Sequence, residues 1–189
     1  MTTTGRTTAP SFTRMADSTE EQWQQIGRET TANQPRVAER VLGMLASLAD
    51  IIDGFSCDQL THSLQTAARA EAAGADDEVV IAALCHDVGK AVSVPNHPAI
   101  AAEILRPYVR DEVYEMIRTH QAFQGQHYFH HFGGDPNARQ AYEGEPFYEL
   151  TATFADDWDQ ESFDPDYPTP PLEHFEQRLR TLFATPHMM

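Results

Sequence analysis

The sequence has few cysteines and no hydrophobic run long enough to cross a membrane. It contains only Cys57 and Cys85, and no CxxC or zinc-ribbon pattern accompanies them, so a disulfide framework is not expected. The longest strongly apolar run, Val79 to Cys85, is far shorter than a membrane span. The polar start from Met1 to Thr8 lacks the hydrophobic core of a secretory signal peptide. We therefore expect a soluble protein of the reducing cytoplasm.

Basic side chains are also scarce. The chain has 13 Lys and Arg residues against 29 Asp and Glu residues, which gives a formal net charge of −16. Because nucleic acids and anionic membrane surfaces are bound through basic faces, neither is expected as a partner. A small-molecule substrate fits this charge balance better. With 189 residues, of which 41% are hydrophobic, the chain is expected to form one domain around a single core.

The pattern of apolar residues predicts an all-α fold, a single compact helical bundle. Apolar residues with helical spacing, or on every side of the helix, occur at 37–51, 57–73, about 76–84, 97–105, 110–119, 146–159 and 172–183. The third of these is apolar on nearly every side, which is typical of a buried central helix. No strand pattern is seen, and 133–136 and 164–171 are expected to be loops. We expect an extended polar tail or lid at 1–35, a helical domain at 36–184 and a short tail at 185–189.

The residues that suggest a chemical function are histidines and aspartates. They are His62, the adjacent pair His86 and Asp87, His97, His120 and Asp159. Alone, His62 is more simply explained as a hydrogen-bonded core residue, but ionisable groups ending an apolar helix are costly unless they are paired or bind metal. Nitrogen and oxygen donors without a thiolate suit iron, manganese, zinc or magnesium, and six ligands exceed the need of one tetrahedral ion. The set predicts two ions that share a bridging carboxylate.

These residues resemble the HD-domain superfamily, whose pattern is H…HD…D on a helical bundle. His62, the His86-Asp87 pair and Asp159 fill that pattern, and the resemblance covers roughly residues 37–183. Members that bind two ions add two histidines, and His97 and His120 occupy those places. The segments 60–65 and 82–89 are similar to the phosphonate-cleaving oxygenases, which belong with myo-inositol oxygenase to the two-ion branch.

The resemblance implies a non-haem diiron centre in a mixed Fe(II)/Fe(III) state that uses O2 to cleave a C–C or C–P bond of a small hydroxylated or anionic metabolite. Asp87 would bridge the ions; His62, His86 and Asp159 would complete one ion, and His97 and His120 the other. The alternative is a phosphohydrolase of the same superfamily, in which Mn, Mg or Zn ions activate water for attack on a phosphoester. A third reading, a binding module without catalysis, would not need all six residues.

Lys90 corresponds to a lysine that contacts the substrate in myo-inositol oxygenase, so the resemblance implies a catalytic or substrate-binding role. Its other interpretation is a surface lysine at a helix C-terminus, where a cation is favoured. Gln124 lies in an aromatic and amide-rich segment, 121–132, which we expect to be a loop that forms the substrate pocket or roofs the core. Arg139 is a further candidate for binding an anionic substrate.

The chain departs from the phosphonate-cleaving pattern at three places. Ile52 and Phe55 stand where those oxygenases carry a Tyr and a Glu, and Gln124 stands where they carry a phosphonate-binding Lys. A phosphonate substrate is therefore less favoured than oxygenase chemistry as such. We expect His127, together with 130–131, to lie in the pocket or on the surface, and 156–157 to be solvated or to orient a ligand.

Overall fold

The computed structural model describes residues 12–187, so the predicted polar start at 1–8 and the last two residues lie outside the described part. Within that part the chain is all-α, without a strand, as predicted. The eight α-helices are α1 Glu20–Ala32, α2 Arg36–Ser47, α3 Gln59–Ala72, α4 Asp77–Cys85, α5 His97–Leu105, α6 Asp111–Tyr128, α7 Tyr148–Thr153 and α8 Glu173–Leu182. No helix between residues 12 and 187 is both long and apolar enough to cross a membrane.

Helix α4 is the central element, as its apolar composition predicts. Asp76 caps its start by accepting a hydrogen bond of 3.1 Å from the Val79 backbone N–H, which satisfies one of the amides left free in a first turn. Every residue from Val79 to Cys85 is at most 2% exposed, and α3 and α8 pack against this helix. Because α4 ends at Cys85, the next two residues, His86 and Asp87, also lie in the core.

Part of the segment predicted as a polar tail is helical. Thr19 and Gln22 form a reciprocal capping box at the start of α1, and such a box favours helix formation at this position. None of the residues of α1 is buried, so the helix is held mainly by local hydrogen bonds. A lid role for this segment stays a prediction.

The prediction of a loop at 121–132 is wrong. Helix α6 continues to Tyr128, and a 3₁₀ turn follows from Phe129 to Phe132. The amide and aromatic side chains of this segment are compatible with a helix. The helical winding ends at Gly133, whose φ of 74° is left-handed. Gly125 allows the ring of Phe129 to pack closely against the helix, where a Cβ atom would collide with it. The segment therefore carries its polar side chains on a rigid helix.

The predicted helix at 146–159 changes its winding partway. The α-helical part, α7, ends at Thr153, and residues Phe154–Asp159 form a π-helix. Such π-helical turns are rare and often occur at functional sites. The wider turn buries Phe154, Ala155, Trp158 and Asp159, so Asp159 enters the core beside α3 and α6.

The loop at 164–171 is found where it was predicted. Gln65 on α3 holds its start, because its amide donates to the Asp164 carbonyl at 2.7 Å and accepts from the Asp164 backbone N–H at 3.2 Å. The preceding residues, Ser162 and Phe163, thereby lie against α3. This contact brings the end of the π-helix next to His62.

Candidate metal centre

The six predicted ligands lie together in the interior. They come from five places in the chain: one from α3, an adjacent pair from the end of α4, and one each from the start of α5, the middle of α6 and the end of the π-helix. None is more than 5% exposed, and the members are His62, His86, Asp87, His97, His120 and Asp159. Ionisable groups buried to this degree need charge partners or a metal.

The tautomer of all four histidines is fixed by the backbone. Each Nδ1–H donates to a carbonyl oxygen, which can only accept. The distances are 2.9 Å from His62 to Ser162 O, and 2.7 Å from His86 to Ala83 O, from His97 to Val94 O and from His120 to Ile117 O. Each Nε2 atom is therefore left with a free lone pair, the form in which a neutral imidazole binds metal. Carbonyl partners of this kind are usual behind metal-binding histidines.

These Nε2 lone pairs converge on one another and on carboxylate oxygens. His62 Nε2 lies 3.1 Å from His86 Nε2 and 3.0 Å from Asp159 Oδ1. In the neutral tautomer that the backbone selects, no hydrogen lies between these atoms, so the contacts are repulsive unless they share a proton or a metal ion. The arrangement thus has the donor atoms and the electrostatic need of a metal site.

Asp87 faces both halves of the cluster. Its Oδ2 lies 3.5 Å from His62 Nε2 and 3.3 Å from His86 Nε2, while its Oδ1 lies 3.0 Å from His97 Nε2 and 3.8 Å from His120 Nε2. The buried oxygens Asp87 Oδ1 and Asp159 Oδ1 accept no hydrogen bond from any described residue. A carboxylate with one oxygen on each side suits the bridging position between two ions. The residues present therefore fit the metal pair that the sequence predicts.

The pKa shifts in this cluster also favour a metal site. Burial opposes the charge of Asp87 and Asp159, but the positive charge of protonated His86 and the contacts with neighbouring histidines more than offset it and hold the pKa of both carboxyls below the ordinary value. Burial alone would lower the pKa of His86, yet the two carboxylates raise it to about 10. Without metal, His86 therefore holds a proton on Nε2, and a bound metal ion would take the place of that proton. Burial lowers the pKa of His120 to about 4. His120 is thus neutral and ready to act as a ligand, and the carboxylates attract positive charge.

Gln124, predicted as a pocket residue, contacts a candidate ligand. Its Nε2 donates to Asp159 Oδ2 at 2.8 Å, which leaves Asp159 Oδ1 to face His62 and His86. On the other side of the cluster, the Phe163 ring stacks on His62 with a centroid distance of 4.1 Å and an angle of 10°. Phe163 was not predicted as a site residue, because it lies in a loop about a hundred positions from His62 and no local sequence pattern marks it.

Lys90 lies at the edge of the cluster rather than on the open surface. Its Nζ is 2.6 Å from Asp87 Oδ2 and 2.8 Å from Gln59 Oε1, and its side chain is 14% exposed. Phe55 lies nearby and stacks on Phe163. Gln59 was not predicted as a site residue, although it precedes His62 by one helical turn and shares its face.

Arg139 is engaged elsewhere. It donates to both carboxylate oxygens of Asp156, the shortest contacts being 2.9 Å, and His127 and Gln126 contact the same carboxylate. Asp156 belongs to the π-helix, and within residues 12–187 Arg139, His127 and Gln126 make no hydrogen bond or ion pair with the six candidate ligands. The positive charge of Arg139 is largely matched by Asp156. A role for Arg139 in binding an anionic substrate therefore stays a prediction without a supporting contact.

The sequence was also compared with known proteins. A family model described as "HD domain" matches residues 60–161, which is more than half of the chain and includes all six candidate ligands. The chain belongs to the HD domain family. HD domains are typically metal-dependent enzymes, which agrees with the buried His and Asp groups that can hold metal ions here. No curated protein matches the chain, so the branch of the HD family rests on the site itself.

Proposed function

We propose that this HD domain protein is a non-haem diiron oxygenase that uses O2 to cleave a C–C or C–P bond of a small hydroxylated or anionic metabolite. The observation that carries the proposal is Asp87, whose two oxygens face two separate pairs of imidazole nitrogens between 3.0 and 3.8 Å away. All donors are imidazole nitrogen or carboxylate oxygen, and such ligands tolerate both ferrous and ferric iron. Manganese, magnesium or zinc remain the alternative ions for this donor set.

The two sides of the centre differ in how many protein ligands they offer. His62, His86 and Asp159 would hold one ion together with Asp87, whereas His97 and His120 would hold the other with Asp87. An ion with only three protein ligands keeps more open positions for small molecules. Bound here, a mixed-valent iron pair would supply activation of O2 and removal of a hydrogen atom from carbon, as in the HD oxygenases that the sequence resembles.

The surrounding side chains would fix the ligands and bind the substrate. The Gln124 amide would keep Asp159 in the orientation that turns Oδ1 towards the ion. Lys90 would place a positive charge beside Asp87, where the structure is partly open to solvent, and an anionic or hydroxylated substrate would be attracted there. Phe163 would shield the outer face of His62 from water. We propose a small-molecule partner and O2, and no role for nucleic acid or membrane.

The second candidate is a metal-dependent phosphohydrolase, because the family match does not separate it from an oxygenase. Such enzymes hold phosphate oxygens with several cationic groups. Among the described residues, Lys90 is the cation in contact with the centre, and Arg139 is paired with Asp156. This scarcity of free cations supports the oxygenase over the hydrolase.

Activity assays separate these candidates. Iron-loaded protein is incubated with a panel of hydroxy acids, polyols and hydroxylated phosphonates while O2 consumption is recorded, and in parallel with phosphoesters while phosphate release is measured. We expect O2 uptake that depends on one substrate class and is abolished in Asp87→Ala. Asp157→Ala is the control, since Asp157 is an exposed carboxylate two positions from Asp159. Phosphate release without O2 uptake would favour the hydrolase, and retention of ligand binding by Asp87→Ala would favour a binding module.

A further inference from the structure

Gln59 is a buried amide at the edge of the metal centre. It is the first residue of α3, it is 0% exposed, and its Oε1 accepts a hydrogen bond of 2.8 Å from Lys90 Nζ. Lys90 in turn contacts Asp87 Oδ2 at 2.6 Å. The amide is therefore connected to the candidate bridging carboxylate through a single ammonium group.

The orientation of the Gln59 amide is fixed by chemistry. An ammonium group only donates hydrogen bonds, so the amide oxygen is the atom that faces Lys90, and the Nε2–H group on the other arm of the same amide is left for a different partner. Nε2 is buried and has no acceptor among the described residues. A buried amide donor without a partner costs free energy, and such groups are normally completed by a ligand or an ordered water.

The charge of the centre favours an anion as that partner. With the ions bound, the four histidines would be neutral ligands, since each Nδ1–H donates to a carbonyl and each Nε2 would face an ion, and Asp87 and Asp159 carry two negative charges. Lys90 and two ions would bring five positive charges when both ions are divalent and six for an Fe(II)/Fe(III) pair, so the loaded site would have an excess of positive charge. This step rests on the proposed function, because the two ions supply most of that charge.

We propose that Gln59 and Lys90 form a subsite for one anionic oxygen of the substrate, a carboxylate or phosphonate oxygen, with the Gln59 Nε2–H as the hydrogen-bond donor. Gln59 is then a specificity-determining residue, because it distinguishes substrates that carry an acidic group from neutral polyols. Lys90 lies at the partly exposed edge of the centre, which is where such a group would arrive. The ions would act on the remainder of the substrate.

Binding of a simple oxyanion tests this subsite without relying on turnover. Inorganic phosphate is titrated calorimetrically into protein loaded with Mn(II), after the metal content of each variant has been measured. Gln59→Glu keeps the side-chain length and the acceptor for Lys90 but replaces the donor with an anionic oxygen. We expect roughly a ten- to hundredfold weaker affinity for phosphate, the loss typical of a charge-assisted hydrogen bond. Gln140→Glu, which adds the same charge at an exposed position, should bind phosphate as the wild type does.

A second variant covers the case in which Gln59→Glu disturbs metal binding. Gln59→Met keeps the length without donor or acceptor, and it should also bind phosphate more weakly. Unchanged phosphate affinity in metal-loaded Gln59→Glu or Gln59→Met contradicts the subsite, as does a wild-type protein that holds two metals but binds no phosphate. A wild-type protein that binds no metal pair contradicts the proposed function itself and removes the charge that the subsite needs.

Discussion

His62 Nε2 and His86 Nε2 lie 3.1 Å apart, although both are acceptor nitrogens in the tautomer that their carbonyl partners select. Two lone pairs at this distance repel each other, and burial removes the water that would otherwise screen them. A shared cation turns the same contact into an attraction. The backbone carbonyls behind each imidazole thus turn the Nε2 atoms towards one another, where they need a shared positive charge. Without metal a proton on His86 supplies it, because the two carboxylates raise its pKa to about 10, and a metal ion can replace that proton.

Gln124 is expected to determine how firmly the centre holds metal. Gln124→Leu removes the 2.8 Å hydrogen bond to Asp159 Oδ2 and frees the carboxylate to rotate. Because loss of such an orienting contact typically weakens metal binding about 10- to 100-fold, the variant should lose metal to a competing chelator at much lower chelator concentration. Gln177→Leu, at an exposed position on α8, is the control and should match the wild type. Equal metal retention in both variants would show that Gln124 has no orienting role.

Arg139 is expected to contribute to stability through Asp156. Arg139→Met should lower the free energy of unfolding by about 1–2 kcal/mol, since it removes a partly buried bidentate contact, and urea denaturation measures this. In a double-mutant cycle with Asp156→Asn, the two effects should not add. Additive effects, or a raised KM for substrate with unchanged stability, would instead favour the anion-binding role predicted for Arg139 from the sequence.

Asp76 predicts a pH dependence of stability. Burial opposes its charge, but the contacts with Arg110 and the Val79 backbone N–H outweigh this and lower its pKa below the ordinary 3.8. A carboxyl whose pKa is lowered on folding stabilises the fold above its unfolded pKa, and that contribution is lost as pH falls through its folded value. The side chain is 56% exposed, so the effect should be small.

Asp76→Asn isolates this contribution, because Asn also caps helices well but cannot form the ion pair with Arg110. Thermal unfolding of the wild type and the variant should differ at neutral pH, and the difference should shrink below about pH 4. A difference that stays constant down to about pH 2 would show that the charge of Asp76 does not stabilise α4.

The sequence was sufficient for much of the fold. Helix α5 begins at His97 and ends at Leu105 as predicted, and α4 is buried from Val79 to Cys85 because all seven of these residues are apolar. The spacing of apolar residues predicts a helix well where the residues of that helix alone determine which side is buried. It did not predict that α6 continues to Tyr128, because amide-rich composition was read as a loop, nor that the helix before Asp159 is π-wound, since that winding depends on tertiary packing.

In the candidate site, too, some residues could be predicted from the sequence and others depend on tertiary contacts. The spacing of histidines and aspartates was enough to propose six ligands that the structure places together. Gln59 shares a helical face with His62 one turn away, so its position could have been inferred, but its contact with Lys90 bridges two elements. Phe163 reaches His62 only because Gln65 holds the following loop, and no local pattern encodes such a contact.

Metal analysis combined with low-temperature electron paramagnetic resonance tests the central claim most directly. Protein purified without added metal and then partly reduced should contain about two irons per chain and give the signal of a coupled mixed-valent pair. Asp87→Ala, prepared in the same way, should lose both the signal and the metal. Manganese, magnesium or zinc without such a signal would contradict the diiron assignment and favour the phosphohydrolase, and a wild-type protein that holds one ion or none would contradict the two-sided role of Asp87.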